Sequence, residues 1–286
     1  MRKVIVAATQ MSCSWDLAAN LSKATKLVRS AAKKGANIIL LQELFETPYF
    51  CQQENYEYLK LAKTIKENQA VNHFQKIAKE LNIVLPISFF EKSANTAFNT
   101  TAIIDADGKI LGTYRKTHIP DGHCYEEKFY FTPGDTGFKV WNTHFGKIGV
   151  GICWDQWFPE SPRAMALLGA EILLYPTAIG SEPIIKIDSQ PHWQRVMQGH
   201  SAANIMPLIA SNRVGTEKEK SSSMTFYGSS FITGANGEII AQMNRSKEGY
   251  ITAEFDLDEI SEIRRSWGIF RDRHPEMYKI LSSHGK

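Results

Sequence analysis

Apolar and polar positions along the chain follow the same order twice. In each case a helical stretch ends in a Gly-Ala turn and runs into a continuous apolar strand, over Ala32–Leu41 and again over Ala166–Tyr175. An apolar strand also lies upstream of each stretch, at Val4–Thr9 and at Ile148–Cys153. The pattern therefore predicts two structurally similar halves.

The elements downstream of these strands also repeat. Each half has a helical stretch, at about residues 68–81 and 190–204, and then a further strand, at Ile83–Phe90 and Pro207–Ser211. A hairpin follows in each half, because the dipeptides Asp-Gly and Asn-Gly favour tight turns with positive φ at both central residues. The hairpin strands are 99–104 with 109–114, and 229–233 with 238–242.

Each half thus has the order β-α-β-α-β-β-β, which predicts an α/β fold. Apolar strands flanked by helices need covering, so we expect the helices to pack outside a sheet and the two sheets to stack. The result is a four-layer α-β-β-α sandwich, formed by residues 1–256 as a single domain. Two independent domains joined near residues 135–145 are the alternative, although no Pro/Gly/Ser-rich linker separates the halves.

Two segments lie outside this repeat. Residues 257–286 form a C-terminal tail whose aromatic side chains, Trp267 among them, predict packing on a neighbouring subunit. Residues 217–223 are rich in charge and predict a surface loop.

Charge and composition exclude several classes of protein. The 286 residues are 43% hydrophobic and carry a net charge of +3, so there is no electrostatic case for binding nucleic acid or a membrane surface. The longest apolar runs are strand-sized, far below the roughly 20 residues of a membrane helix. The residues after Met1 lack the apolar segment of a signal peptide, and we expect a cytoplasmic protein.

The cysteines indicate neither disulfides nor a structural metal site. They are far apart and include no Cys-x-x-Cys pair. His118, His123 and Cys124 lie close in sequence, but their spacing fits no zinc pattern and suggests no fourth ligand. We therefore expect no bound metal. The cysteines are Cys13, Cys51, Cys124 and Cys153.

Three side chains able to do chemistry follow predicted strands. Glu43 comes after the second strand of the first half, Lys116 after its hairpin, and Cys153 at the end of the first strand of the second half. Open α/β sheets place their sites at such strand ends. A cysteine attacks carbonyl carbon as a thiolate, so a base for its proton and a cation for its charge suit this set. Taken singly, each residue is more often an ordinary loop or core residue.

The sequence around these residues resembles the nitrilase superfamily, the carbon–nitrogen hydrolases with a Glu-Lys-Cys triad. Order, spacing and the internal repeat agree over nearly the whole chain. The resemblance implies that Glu43 is the general base, Lys116 stabilises the oxyanion and Cys153 is the nucleophile, with no cofactor. It also implies the αββα sandwich and homo-oligomers, dimers or larger, often formed through the C-terminal tail. The matching segments are Leu40–Phe45, Tyr114–His118 and Gly149–Asp155.

The resemblance also implies further site residues. The amide-hydrolysing branches carry a second glutamate before a Tyr/Phe-rich Pro-Gly loop, and the family pattern assigns this role to Glu127 rather than Glu126. Such a glutamate orients the lysine or the substrate and shares proton handling with the base. Trp154 follows the nucleophile and is expected to donate its backbone N–H to the oxyanion. Tyr49 is a candidate for the pocket wall, and simple packing explains it equally well.

The loops around the three residues favour a substrate with a cationic tail. Residues 118–122 and 177–183 contribute Asp121 and Glu182 and no arginine, whereas a carboxylate tail would need one. Longer motifs are similar to those of the N-carbamoylputrescine amidase branch. This implies hydrolysis of N-carbamoylputrescine to putrescine, carbon dioxide and ammonia through a cysteine thioester, in polyamine biosynthesis. The motifs are His118–Gly122, Glu127–Val140, Ile152–Glu160, Tyr175–Pro183 and His192–His200.

Other activities stay open at this point. A β-ureidopropionase or an ω-amidase uses the same triad and differs in the charge of the substrate tail, and a nitrilase in the strict sense acts on nitriles. A non-catalytic binding member of the fold is the alternative from a different class, and the complete triad argues against it. A papain-like thiol hydrolase is disfavoured, because no Cys-His-Asn arrangement accompanies the strands.

Overall fold

The computed structural model describes residues 1–181 and 186–285, and its first half has the predicted β-α-β-α-β-β-β order. The helix starts are fixed locally, because the side chains of Asp16 and Asn68 accept hydrogen bonds from the first-turn amides of Ala19 and Val71 at 3.0 and 2.9 Å. The elements are β1 Lys3–Gln10, α1 Leu17–Lys33, β2 Ile38–Leu40, α2 Gln69–Leu81, β3 Leu85–Ser93, β4 Thr96–Ile104 and β5 Ile110–Arg115.

The second half repeats this order with additional strands. A short helix, α3 Glu127–Tyr130, lies between the halves. The predicted strand Ile148–Cys153 ends at Val150, because Cys153 already begins a 3₁₀ turn over Cys153–Trp157. The elements are β6 Val140–Thr143, β7 Gly146–Val150, α4 Glu160–Leu167, β8 Ile172–Pro176, α5 Gln190–Asn204, β9 Leu208–Ser211, β10 Val214–Lys218, β11 Ser223–Tyr227, β12 Phe231–Thr233, β13 Ile239–Gln242, β14 Gly249–Asp256 and α6 Leu257–Trp267.

The second half contributes an edge strand to the sheet of the first half. β14 pairs antiparallel with β1 along its whole length, and β1 pairs in parallel with β2. A parallel bridge between Ile38 and Val84 carries this sheet on to β3, β4 and β5. In the second sheet, of order β13-β12-β9-β8-β7-β6, strand β6 lies beside β7 as β14 lies beside β1. The first half is therefore completed by a strand from the other end of the chain.

Three apolar clusters separate four layers of structure. Val4 and Val6 of β1 meet Ile148 of β7 in a cluster between the two sheets. Ala7, on the opposite face of β1, packs with residues of α1 and α2, and Leu173 of β8 packs with residues of α5. Because neighbouring residues of a strand point to opposite faces, each central strand is apolar on both sides. The predicted α-β-β-α sandwich is confirmed.

The expectation of a surface loop over residues 217–223 is correct only for the turn at residues 219–222. Strands β10 and β11 form a two-stranded antiparallel ribbon, with exposed charges on Lys218 of β10 and on Lys220 in the turn. Glu217 is buried, with its Oε1 atom 2.6 Å from Arg213 Nη1. The sequence shows a run of charges here, and it cannot show that one of them is neutralised inside the protein.

The C-terminal tail begins with α6, whose N-terminus is capped by Asp256. Leu257 and Ile260 anchor this helix in the cluster between the sheets, and a 3₁₀ segment at Pro275–Ser282 follows. Trp267, at the end of α6, is 72% exposed. No helix in the described part of the chain combines the length and the apolar character needed to cross a bilayer.

Candidate active site

Cys153 lies at a sharp turn between a buried strand and a 3₁₀ helix. Its φ is +40°, a left-handed conformation that residues with a Cβ rarely adopt, and its side chain is almost completely buried. Gly151 makes the turn possible, because a Cβ there would lie 2.5 Å from a ring carbon of Tyr175. Such a strained strand-to-helix turn holds a nucleophile out from the end of the sheet.

Asp155 fixes this turn from within the 3₁₀ helix. Its buried carboxylate accepts hydrogen bonds from Ile152 N at 2.9 Å and from the hydroxyl of Tyr114 at 2.7 Å. His118 Nδ1 lies 2.7 Å from the other carboxylate oxygen, which also accepts the backbone N–H of His118 at 3.0 Å. Asp155 therefore ties the turn of Cys153 to the segment that follows β5.

Lys116 lies at the end of β5 with its ammonium group between two carboxylates. The Nζ atom is 2.9 Å from Glu43 Oε1 and 2.6 Å from Glu127 Oε2, and all three side chains are completely inaccessible to solvent. Three of the four residues predicted to act together are thus in contact. Glu126, the alternative to Glu127, takes no part in this cluster.

The two oxygens of Glu43 have different surroundings. Oε1 accepts hydrogen bonds from Lys116 and, at 2.6 Å, from Asn99 Nδ2 on β4. Oε2 is buried and has no hydrogen-bond partner among residues 1–181 and 186–285. A buried carboxylate oxygen without a donor is costly unless another group approaches it. The arrangement therefore leaves one oxygen of Glu43 available to accept a proton.

The charges of this cluster shift one another's proton affinity. Burial opposes the charge of Lys116, but the carboxylates of Glu127 and Glu43 outweigh it and raise the lysine pKa well above its usual range. Burial raises the pKa of Glu127 to about 7, although Lys116 counteracts it. Burial, with the charge of Glu43, also raises the pKa of the Cys153 thiol. Without substrate, Lys116 is therefore protonated, and the Cys153 thiol needs a base to remove its proton.

Tyr49 belongs to this cluster rather than to the pocket wall. Its ring is completely buried, and its hydroxyl donates to Glu127 Oε1 at 2.6 Å. Burial, together with the nearby charge of Glu127, raises the pKa of Tyr49, so the hydroxyl keeps its proton and remains a donor. Each oxygen of Glu127 therefore has one donor, from Tyr49 and from Lys116.

A cavity of about 510 Å³ opens in front of Cys153. Trp154, which is 38% exposed, and Trp157 contribute its aromatic surface, with ring centroids 6.2 Å apart. The backbone N–H of Trp154 donates to no acceptor within the described residues, as is usual in the first turn of a helix. It is therefore free to bind an oxygen of a substrate that reaches Cys153.

Asp121 and Glu182 are the residues predicted to bind the substrate tail. Asp121 lines the cavity, and its carboxylate lies 3.7 Å from the ammonium group of Lys128. Glu182 lies outside the described residues. His123, Tyr125 and the two tryptophans also line the cavity. Among the described residues, the cavity lining thus has one carboxylate and several aromatic faces, which suits an ammonium group.

The described ranges contain no group of three or more His, Cys, Asp or Glu side chains that could hold a metal ion. His118, which lies near His123 and Cys124 in sequence, instead pairs with Asp155 and stacks on Phe158 with ring centroids 3.6 Å apart.

Asn99 and Asp155 are site residues that the sequence analysis did not identify. A polar Asn-Thr-Thr run inside the buried strand β4 was a signal for Asn99, because polar groups in a sheet interior need a partner. Asp155 lay within a recognised motif, but nothing in its spacing indicated that it binds the backbone of the cysteine turn.

Comparison with known proteins agrees with this geometry. The family described as carbon-nitrogen hydrolase matches residues 5–265. The N-carbamoylputrescine amidase of Arabidopsis thaliana is 57% identical over 285 residues, which cover 98% of this chain and 95% of the relative. The citrullinase of Francisella tularensis is 54% identical over 279 residues, covering 97% and 98%. A crystal structure of a carbon-nitrogen hydrolase from Helicobacter pylori superposes with a TM-score of 0.93 at 39% identity, covering 99% of this chain and 100% of that one. The chain therefore belongs to the carbon–nitrogen hydrolase family.

Proposed function

We propose that the protein hydrolyses N-carbamoylputrescine to putrescine, carbon dioxide and ammonia. The observation that carries this proposal is the buried Glu43–Lys116–Glu127 cluster, which interacts electrostatically with Cys153 and in which one oxygen of Glu43 has no partner among the described residues. The relatives named N-carbamoylputrescine amidase, which span nearly the whole chain, support the choice of substrate.

In the first half of the reaction, Glu43 Oε2 takes the thiol proton and the Cys153 thiolate attacks the ureido carbonyl carbon. The new C–S bond forms as the carbonyl π electrons move to oxygen, and Lys116 with the Trp154 N–H stabilises that oxyanion. The oxyanion collapses, one C–N bond breaks, and the departing amine takes the proton from Glu43. A thioester at Cys153, specifically a thiocarbamate for a ureido substrate, remains.

In the second half, Glu43 accepts a proton from water, which attacks the thiocarbamate carbon. The C–S bond breaks, the thiolate recovers the proton, and the released carbamic acid decomposes to carbon dioxide and the second amine. Glu127 assists by holding Lys116. When ionised it shares the Lys116 ammonium with Glu43 and takes part in the proton handling of the site. No cofactor enters this scheme.

Asp121 is the proposed contact for the ammonium tail, with the faces of Trp154 and Trp157 beside it. Glu182 is proposed as a second carboxylate for the same tail. Citrulline is a second candidate substrate, because Lys128 lies next to Asp121 and the pair offers one charge of each sign to an α-amino acid. The relative from Francisella tularensis that is named citrullinase, at 54% identity, supports this candidate.

We further propose that residues 1–256 form the catalytic domain and that the tail from residue 257 packs on another copy, giving a homo-oligomer. Apolar side chains exposed along this tail support the proposal: Trp267, Met277, Ile280 and Leu281. The cysteines Cys13, Cys51, Cys124 and Cys153 are all free thiols, which is consistent with a cytoplasmic location.

Replacing Cys153 by Ala should lower ammonia release from N-carbamoylputrescine by at least about 1,000-fold, because the proposed covalent intermediate forms on its sulfur. Cys13→Ser is the matched control and should keep the parent rate, because the serine hydroxyl can still donate to the carbonyl of Phe45. Mass spectrometry of the intact protein after an electrophilic amide should show one adduct in the parent and none in the Cys153 variant. Substantial turnover by Cys153→Ala would overturn the mechanism, and absence of labelling in the parent would favour a non-catalytic binding role.

Replacing Glu127 by Gln should remove the acid limb of the kcat/KM profile. The pKa of Glu127 is about 7, so its ionised and active form is lost as the pH falls through that value. Glutamine imitates the protonated form, and we expect a profile flat from pH 6 to 8 at a level roughly 10- to 100-fold below the parent. The adjacent substitution Glu126→Gln should leave the limb in place. If the acid limb of the pH profile of kcat/KM keeps its midpoint in Glu127→Gln, the limb belongs to another group.

Asp121→Asn should raise KM for N-carbamoylputrescine roughly 2- to 10-fold at unchanged kcat, as expected for a partly exposed ion pair. Asp107→Asn, in a surface turn, is the control. The parent should be assayed in parallel with N-carbamoylputrescine, citrulline and N-carbamoyl-β-alanine. Preference for citrulline would select the second candidate, and preference for N-carbamoyl-β-alanine would discard the cationic-tail assignment while keeping the triad.

Light scattering coupled to size-exclusion chromatography should give a mass of two or more chains, and Trp267→Ser should shift the protein toward smaller species. A monomeric parent would exclude the proposed packing of the tail on another copy.

A further inference from the structure

Arg213, between β9 and β10, is completely buried and binds the loop that carries Glu43. Its Nη2 atom donates to the carbonyl oxygens of Glu43 and Leu44 at 3.0 and 2.9 Å. Its Nη1 atom donates to Glu217 at 2.6 Å and to the carbonyl of Thr47 at 3.3 Å. One guanidinium from the second half of the chain thus satisfies three carbonyls of a loop in the first half.

Glu217 reaches the other end of the same loop. Its Oε2 atom accepts the backbone N–H of Tyr49 at 2.5 Å, while its Oε1 atom pairs with Arg213. The hydroxyl of Tyr49 in turn contacts Glu127. The ion pair therefore binds the backbone of Glu43, which is one carboxylate of the cluster, and the backbone of Tyr49, which supports the other carboxylate, Glu127.

The loop needs such support because its backbone is strained. Leu44, directly after Glu43, has a φ of +49°, and its N–H is held by Ser88 Oγ at 3.0 Å. A branched residue adopts this conformation only where its surroundings impose it. Without donors to the carbonyls of Glu43 and Leu44, the loop can relax and carry the Glu43 carboxylate away from Cys153.

We propose that the Arg213–Glu217 pair is a positioning device for the Glu43 base, acting through the backbone of residues 43–49. This inference rests on the proposed role of Glu43. A buried ion pair adds little stability compared with apolar residues of the same volume, so stability alone does not account for it. The planar fork of arginine, in contrast, can hold two successive carbonyls and a carboxylate in fixed directions.

The test measures how fast iodoacetamide alkylates Cys153, by intact mass, in four proteins: parent, Arg213→Lys, Glu43→Gln and the double variant. Lysine keeps the charge and loses the fork. We expect Arg213→Lys to slow alkylation about 10- to 100-fold in the parent background, the cost typical of a misplaced catalytic group. In the Glu43→Gln background, Arg213→Lys should change the alkylation rate less than about twofold, because the effects of two substitutions that act through the same group are not additive. Steady-state kinetics of Arg213→Lys should show the loss in kcat with little change in KM.

Three controls separate positioning from general damage. Arg245→Lys removes the fork from a surface ion pair with Asp188 and should alkylate at the parent rate. Val28→Ala, in the buried face of α1, lowers thermal stability and should also keep that rate. Glu217→Gln supplies the test if Arg213→Lys fails to fold, since glutamine is isosteric and loses only the charge.

The outcomes distinguish this inference from the proposed mechanism. Equal slowing by Arg213→Lys in both backgrounds, or none in the parent background, overturns the positioning role and leaves Glu43 as the base. Alkylation of Glu43→Gln at the parent rate overturns the role of Glu43, and the positioning role falls with it. If Arg213→Lys slows alkylation only in the parent background, the result supports both the positioning role of the ion pair and the role of Glu43 as the base.

Discussion

The arrangement of the site depends on one constraint, the burial of the Lys116 ammonium group. Removing an ion from water costs on the order of several kcal/mol even after the protein relaxes, and only well-placed opposite charges offset this cost. Glu43 and Glu127 supply those charges at 2.9 and 2.6 Å. Burial raises the pKa of Glu127 to about 7, with Lys116 opposing the shift and the negative charge of Glu43 adding to it. The cluster can therefore gain and lose a proton near neutral pH.

Neutral hydrogen-bond donors complete this cluster. Asn99 donates to the Glu43 oxygen that Lys116 also contacts, and Tyr49 donates to the Glu127 oxygen that Lys116 leaves free. With the contact between Lys116 and Glu127 Oε2, three of the four carboxylate oxygens have a donor. The fourth, on Glu43, is left without a partner within the described residues. Because the other three are fixed, the unpaired oxygen has a defined position, as a general base requires. Burial raises the pKa of the Cys153 thiol, and the unpaired oxygen of Glu43 is the proposed acceptor for its proton.

The sandwich brings these groups together from both halves of the chain. Glu43 and Lys116 follow strands β2 and β5 of the first sheet, whereas Cys153 follows β7 of the second. Packing the sheets face to face sets their strand ends beside one another, and the apolar cluster between the sheets maintains that distance. Asp155 and Arg213 then add polar links between the halves. A shift of one sheet against the other would separate Cys153 from Glu43.

The sequence by itself determined the repeat, the order of strands and helices, and three residues that could share a reaction, because periodicity and turn dipeptides are local properties. It determined the residue types of the Lys116 cluster through motifs, and Glu127 was distinguished from Glu126 in this way. Only the tertiary structure decided that β14 completes the first sheet, that Tyr49 supports Glu127, and that Glu217 is buried against Arg213. These contacts join residues far apart in the chain, and their free energy depends on the exclusion of water, which no local pattern records.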